Sequence, residues 1–307
     1  MTSVAVVDLG SLSTRLLIAD GSGPGRRRQV VTRMGEGVAV GGTIGDEALE
    51  RVRAALVDFA RDIDTAGVDR VAAVATAAAR RARNADALAG VVEAVLGIGV
   101  DVLTAQDEGR LAFAGATADL GAEGPVLVLD IGGSSTEFSV GEPVLGVRSG
   151  WSADIGAGSL TEAYLESDPP TPWELSAALS VVELHIDDVI REVEGLGEVL
   201  RDGIVVGVGG TVTTVAAVEL GLSVYDSKRI HGLRLGRDAV EDVFRTLATE
   251  RSSDRAANPG LPPDRVELIV GGCCVLVEVM RRLAIDEVRV SERDLLDGVA
   301  AACLAER

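Results

Sequence analysis

Two short segments of this chain set an aspartate before glycine and hydroxyl residues in the same order. DLGSLST (Asp8 to Thr14) and DIGGSST (Asp130 to Thr136) each follow an apolar run and precede another. They coincide at Asp8/Asp130, Gly10/Gly132, Ser13/Ser135 and Thr14/Thr136, with an aliphatic residue after each Asp. A tight Gly/Ser turn between strands gathers backbone N–H groups into one concavity, which suits phosphate oxygens. A carboxylate at the strand end can hold Mg²⁺ directly or through water. The expected phosphate contacts are therefore Gly10, Ser11, Ser13 and Thr14, and Gly132, Gly133, Ser134, Ser135 and Thr136. A third turn, GVGGTVTT (Gly207 to Thr214), runs into a helix, where Gly209, Gly210 and Thr211 could add an N-terminal anion site. Taken alone, it reads equally well as a plain strand-to-helix turn.

Composition removes several other chemistries. There are 48 acidic against 29 basic residues in 307, a net charge of −19. That argues against a dedicated nucleic-acid binder, whose affinity comes from neutralised phosphates. The single lysine, Lys228, rules out a Walker A lysine. Two histidines (His185, His231) and three cysteines (Cys273, Cys274, Cys303) cannot supply a zinc cluster at ligand spacing. The absence of a Cys framework fits a reducing compartment. No leader and no apolar run of about 18 residues is visible, so the expectation is a cytoplasmic protein without a membrane partner.

The elements that must position these residues alternate between short β-branched runs and longer helical stretches, the pattern of an α/β fold. Strands are expected at Val4 to Val7, Thr14 to Ala19, Gln29 to Arg33, Val71 to Ala75, Val126 to Leu129, Ile204 to Val206 and Val288 to Val290. GSGPG (Gly21 to Gly25) reads as a hairpin tip, with Arg26, Arg27 and Arg28 beside it as a solvated basic turn. Leu49, Val52, Leu56, Phe59 and Ile63 recur at helical spacing. Further helices are expected at Ala85 to Leu96, Gln106 to Ala118, Thr171 to Glu194, Val212 to Leu220, Asp238 to Ala248, Gly272 to Leu283 and Glu292 to Leu304. Gly121 to Pro125 is the expected boundary, dividing the chain into domains 1–121 and 122–307. One Asp-x-Gly turn per half implies a duplicated domain with a cleft between the halves. Trp151 and Trp173 are expected to be packing anchors, and His185 a structural helix residue.

These motifs resemble the two phosphate loops and the later glycine turn of the superfamily of acetate and sugar kinases, Hsp-type chaperones and actin. Within it, the sequence is similar to the exopolyphosphatase / guanosine pentaphosphate phosphatase family in its short form. MGEGV (Met34 to Val38), ATAAARRARNA (Ala75 to Ala85), QDEGRLAFAGA (Gln106 to Ala116), YDSKRIHG (Tyr225 to Gly232) and VRVSERDLLDGVA (Val288 to Ala300) follow in family order. The resemblance implies duplicated actin-like (ribonuclease H-like) domains with mixed sheets. It implies hydrolysis of the terminal phosphate of inorganic polyphosphate, or of guanosine pentaphosphate, the stringent-response nucleotide. It further implies Glu108 as the catalytic carboxylate, Arg80 as a phosphate ligand, and Asp8, Asp130 and Glu137 as ligands of Mg²⁺. The implied partners are these polyanions, not nucleic acid or membrane, and a homodimer is compatible with the family. His231 falls at a family position where a structural role is at least as well supported as a catalytic one.

The sequence departs from the family pattern in places. Leu12 stands where Asn is usual, Ser134 replaces a glycine, Gln106-Asp107 precedes Glu108, and Ser159 replaces an Arg common at that position. A sugar or acetate kinase-like phosphotransferase and a non-catalytic polyphosphate or nucleotide sensor therefore stand as alternatives to the hydrolase.

Overall fold

The computed structural model describes residues 2–23, 25–121 and 124–305. Pro24 of the expected hairpin tip, and Ala122 and Glu123 of the expected boundary, lie outside them. The chain forms two compact units: Met1–Gly115 with Leu295–Arg307, and Ala116–Asp294.

The first unit is built on β1 (Val4–Leu9), β2 (Ser13–Ala19), β3 (Arg26–Val31), β4 (Arg70–Ala75) and β5 (Asp101–Val102), in the order β3-β2-β1-β4-β5. β1 to β3 form an antiparallel meander, and β4 and β5 add in parallel. Its early helices are α1 (Val38–Gly41), α2 (Asp46–Ala66), α3 (Ala77–Arg81), α4 (Ala85–Leu96) and α5 (Ala105–Thr117). Every residue of β1 is buried, as a central strand covered on both faces must be. Ala5, Val7 and Leu9 pack with Val52, Leu56 and Phe59 of α2 and with Leu88 and Val92 of α4. Val4 and Val6 face the opposite side. The helical spacing read from Leu49 to Ile63 is thus the inner stripe of α2.

The second unit holds β6 (Val126–Ile131), β7 (Thr136–Glu142), β8 (Gly146–Ala153), β9 (Ile204–Val208), β10 (Arg234–Gly236) and β11 (Glu287–Val290), in the order β10-β11-β9-β6-β7-β8. Its meander β6-β7-β8 with β9 parallel to β6 repeats β1-β2-β3 with β4. The two sequence repeats therefore occupy the same corner of two like sheets, the duplicated α/β architecture expected. The helices are α6 (Ala157–Tyr164), α7 (Pro172–Glu192), α8 (Leu196–Asp202), α9 (Gly209–Glu219), α10 (Ser227–Ile230), α11 (Arg237–Thr249), α12 (Ser252–Arg255) and α13 (Ile269–Arg282). α13 is the core helix, packed against α6, α7 and α11. Cys273 and Cys274 lie in it as core thiols, and burial pushes the Cys274 thiol up to about 12. The three-residue β10 and four-residue α10 were not expected, because neither is long enough to show a period.

The last helix, α14 (Leu295–Ala305), starts three residues later than the expected Glu292 and belongs to the first unit. Leu295, Leu296, Val299 and Ala300 fill the sheet face formed by Val4, Val6, Leu17 and Val74. Gly298 lets it approach α5 closely: a Cβ there would stand 1.9 Å from the Leu111 carbonyl oxygen. The expected division at 121/122 therefore differs from the observed units, since an apolar helix carries no local signal of which sheet it will cover. The arginine run also differs. Arg26, Arg27 and Arg28 lie within β3, an edge strand, with Arg26 and Arg28 bonded to Asp62 of α2 and Arg27 to Asp297 of α14. Charges on an edge strand discourage pairing with another chain. Trp173 is 82% exposed and Trp151 38%, so neither is the packing anchor expected. Among the described residues no helix is long and apolar enough to cross a membrane.

Candidate active site

In both units the Asp-x-Gly turn closes in the same way. Gly10 N–H donates to the Ser13 carbonyl at 3.0 Å, and Gly132 N–H to that of Ser135 at 2.9 Å. A Cβ at Gly10 or Gly132 would meet that same oxygen at 3.0 Å, which is why both turns carry glycine there. The threonines that end the two motifs do structural work. Thr14 is fully buried with its hydroxyl 3.0 Å from that of Thr32, and Thr136, equally buried, donates to the Ile155 carbonyl at 2.7 Å. With those two hydroxyls engaged inside the protein, the turn residues Gly10, Ser11, Ser13, Gly132, Gly133, Ser134 and Ser135 are the groups of these motifs left as candidates for phosphate.

The cross-strand partners of the two aspartates have opposite charge. Asp8 pairs with Arg15 across β1 and β2, and both Nε and Nη2 of Arg15 donate to Asp8 Oδ2, at 2.8 and 2.6 Å. Asp130 pairs with Glu137 across β6 and β7, setting two carboxylates side by side on one face. Glu137 is buried and accepts a 2.8 Å bond from the Ser152 hydroxyl.

The second loop is braced from behind. Ala157 N–H donates to the Gly132 carbonyl, and the N–H groups of Gly158 and Ser159 to that of Gly133, so the first amides of α6 are spent on the loop. Gly156 is required, since a Cβ would stand 2.6 Å from Gly133 C. Ser159 supplies the cap: its hydroxyl accepts from Gly156 N–H at 3.0 Å, a task arginine could not perform. The third turn comes close to the second loop, because a Cβ on Gly209 would lie 2.7 Å from Asp130 Oδ1. Gly209 has a φ of +86°, and the face of Gly210 is covered by the Arg265 guanidinium. Thr211 is buried against Gly272, so its side chain serves packing. Arg265 carries no short-range motif, and only the close approach to Gly210 reveals it.

The first unit places Glu108 in the opening turn of α5, 7% exposed, with Oε2 accepting a 2.6 Å bond from Arg80 Nη1. Arg80 lies in the last turn of α3, the short helix that follows β4, and also donates to the Leu103 carbonyl at 2.9 Å. The resemblance assigned Arg80 to phosphate; here it holds the carboxylate. Burial raises the Glu108 pKa above its usual value; the Arg80 hydrogen bond and charge pull it down, Asp8 pushes it up and Arg15 lowers it. Glu108, Arg80, Asp8 and Arg15 thus form one electrostatic group at the carboxyl ends of β1 and β4, the end of the sheet where α/β folds place their ligands. Such a group offers a desolvated, oriented proton acceptor beside a phosphate-type turn.

The model of the Ppx/GppA phosphatase family matches residues 6–306. The chain belongs to that family. It is 39% identical to a Mycobacterium tuberculosis protein named exopolyphosphatase 2, over 98% of both chains. A crystallised exopolyphosphatase-like protein superimposes with a TM-score of 0.91 at 33% identity, covering 98% of each chain. A Pseudoalteromonas translucida protein named guanosine-5′-triphosphate,3′-diphosphate pyrophosphatase is 26% identical over 98% of this chain and 59% of its own. As a Ppx/GppA member the chain has the family's actin-like duplicated fold. His231, expected as structural or catalytic, lies elsewhere, beside Asp119 and Glu292.

Proposed function

We propose that this chain is an exopolyphosphatase that hydrolyses the terminal phosphoanhydride of inorganic polyphosphate. The observation that carries the reading is Glu108, buried and oriented by Arg80 beside the first Asp-x-Gly turn. With Oε2 taken by Arg80, Oε1 is the oxygen that accepts a hydrogen from the attacking water. The water oxygen bonds to the terminal phosphorus, the bridging P–O bond breaks, and the shortened chain leaves as an anion. Glu108 takes the proton as attack completes, a late demand suited to a carboxylate because phosphoryl transfer is loose in its transition state. In the first unit, the N–H groups of the Asp8 turn beside Glu108 neutralise developing charge on phosphate oxygens.

Asp130 and Glu137 suit a divalent cation such as Mg²⁺. Among the described residues no group of three or more Asp, Glu, His or Cys is placed to hold a metal. Two adjacent carboxylates nonetheless match the way Mg²⁺ is held, by one or two carboxylates with waters and substrate phosphates completing the shell. When bound, the cation would neutralise phosphate oxygens that the −19 chain would otherwise repel. Asp8, neutralised by Arg15, acts in this reading by holding that arginine.

Guanosine pentaphosphate is the second substrate class, supported by the name of the Pseudoalteromonas relative. Phosphate release from short polyphosphate, long polyphosphate and guanosine pentaphosphate, with Mg²⁺ and at matched phosphate-end concentration, tests the reading. Fastest release from polyphosphate is expected. Release from none would favour the sensor, and ADP-forming transfer from ATP the kinase.

A further inference from the structure

The motif YDSKRIHG, prominent in the sequence, takes no part in the site above. Its interior explains itself. Asp226 caps α10 through the Lys228 N–H at 3.0 Å, and Gly232 turns the chain with a φ of +80°. Its two ring side chains reach outward to one segment. Tyr225 O–H donates to the Glu292 carboxylate, and Glu292 N–H donates to His231 Nδ1 at 3.2 Å. Because Nδ1 accepts, the hydrogen sits on Nε2, and Nε2 faces Asp119 Oδ2 at 3.1 Å. Arg293 Nε closes the figure on that same Asp119 oxygen at 3.1 Å. Gly232 N–H to the Val290 carbonyl, and Val290 N–H to that of Leu233, bind the remaining backbone, each at 2.8 Å.

Asp119 and Glu292 share a special place in the chain. The second unit begins at Ala116 and ends at Asp294, so the chain enters it just before Asp119 and leaves it just after Glu292 and Arg293. The sequence between the two units passes only at these points. An imidazole with one nitrogen on each passage ties them together, and the Arg293–Asp119 ion pair is a second tie. We propose that His231, steadied by the Tyr225 contact at Glu292, is a clasp that makes the entering and leaving passages flex as a single hinge. His231 is then a positioning residue that touches no substrate. The two segments matched in family order, YDSKRIHG and VRVSERDLLDGVA, become the two halves of one device.

Amide exchange on the intact protein tests the clasp without substrate, so it stands apart from the assignment of exopolyphosphatase activity, on which only the kinetic arm rests. Asp119→Ala removes the acceptor on the entering passage. Exchange at Glu292 and Arg293, on the other passage, should quicken roughly tenfold, as for loss of one ordering hydrogen bond, while β6 and β9 stay protected. His231→Ala should quicken both passages, and the double variant should exceed neither single variant appreciably, because the residues act as one unit. Asp119→Asn keeps an acceptor for Nε2–H and should restore most of the protection. That exposed position also serves if His231→Ala does not fold. In polyphosphate hydrolysis, Asp119→Ala should lower kcat by about ten- to a hundredfold, the cost of misplacing a remote catalytic geometry, with Asp119→Asn recovering most of it. Faster exchange confined to residues 118–121 in Asp119→Ala would overturn the clasp. Coupled exchange with wild-type kcat would overturn its part in turnover.

Discussion

Arg80 Nη1 stands 2.6 Å from Oε2 of Glu108, and both side chains are largely removed from solvent. An arginine that the family pattern assigns to phosphate is thus engaged by the Glu108 carboxylate. The contact is charge-assisted, and it fixes which Glu108 oxygen remains for water. It also sets the balance between burial, which favours the neutral acid, and a neighbouring cation, which favours the anion.

Glu108→Gln keeps shape and hydrogen bonding but cannot accept a proton. Phosphate release should fall by about 10²–10⁴-fold, with polyphosphate binding retained, since the proposed phosphate ligands are the Asp-x-Gly turns and not Glu108. Steady-state kinetics with a direct binding measurement check this. Wild-type turnover would remove Glu108 from the chemistry.

The same substitution has a pH-dependent effect on stability. The Glu108 pKa is raised in the folded protein, so its contribution is fully present below the ordinary glutamate value of 4.5 and is lost as pH rises through the raised value. Relative to the native chain, Glu108→Gln should therefore gain melting temperature as pH increases across that window. Parallel melting curves at pH 5 and pH 8 measure it, and a gap that shrinks with rising pH would contradict the assigned shift.

Arg80→Ala removes the main group that lowers the Glu108 pKa, leaving only the weaker pull of Arg15. The acid limb of the rate profile, where Glu108 must be ionised, should move to higher pH, and kcat should fall. Arg80→Lys should recover the limb's position better than the rate, because charge survives while the planar fork does not. A pH–rate series on the three proteins decides it. An unmoved limb in Arg80→Ala would detach the pair from catalysis.

Asp130→Asn and Glu137→Gln should each raise the Mg²⁺ concentration needed for half-maximal rate by about tenfold or more. Asp8→Asn should have a smaller effect on metal dependence, because Arg15 already compensates Asp8. Titration of activity with Mg²⁺ after EDTA treatment separates them. Full activity in excess EDTA would exclude the metal-bridged reading.

Gly298→Ala should destabilise the first unit by about 1–3 kcal/mol, the usual penalty of overpacking, because its Cβ meets backbone that cannot step aside. The damage should spread to activity, since the displaced element is α5, which carries Glu108. Thermal melting and phosphate release on one sample check both.

Much of this was legible in the residues themselves. The repeated Asp-x-Gly turns, the 3.6-residue stripe of α2 and the limits of α4 depend on local sterics and on periods only a few residues long. The duplicated architecture followed from the repeat, because like turns between like strands demand like sheets. Tertiary structure decided what depends on a distant neighbour. The fate of Thr14 and Thr136 turns on Thr32 and Ile155, which alone determine whether a hydroxyl faces phosphate or the core. Arg26 to Arg28 became edge-strand anchors because Asp62 and Asp297 come alongside. The return of α14 to the first sheet, the Arg80–Glu108 pair and the grip of His231 on Asp119 and Glu292 join residues from 28 to 112 positions apart or further. Burial and hydrogen bonding act through space, so a charge whose partner is set by folding has no signature in the residues beside it.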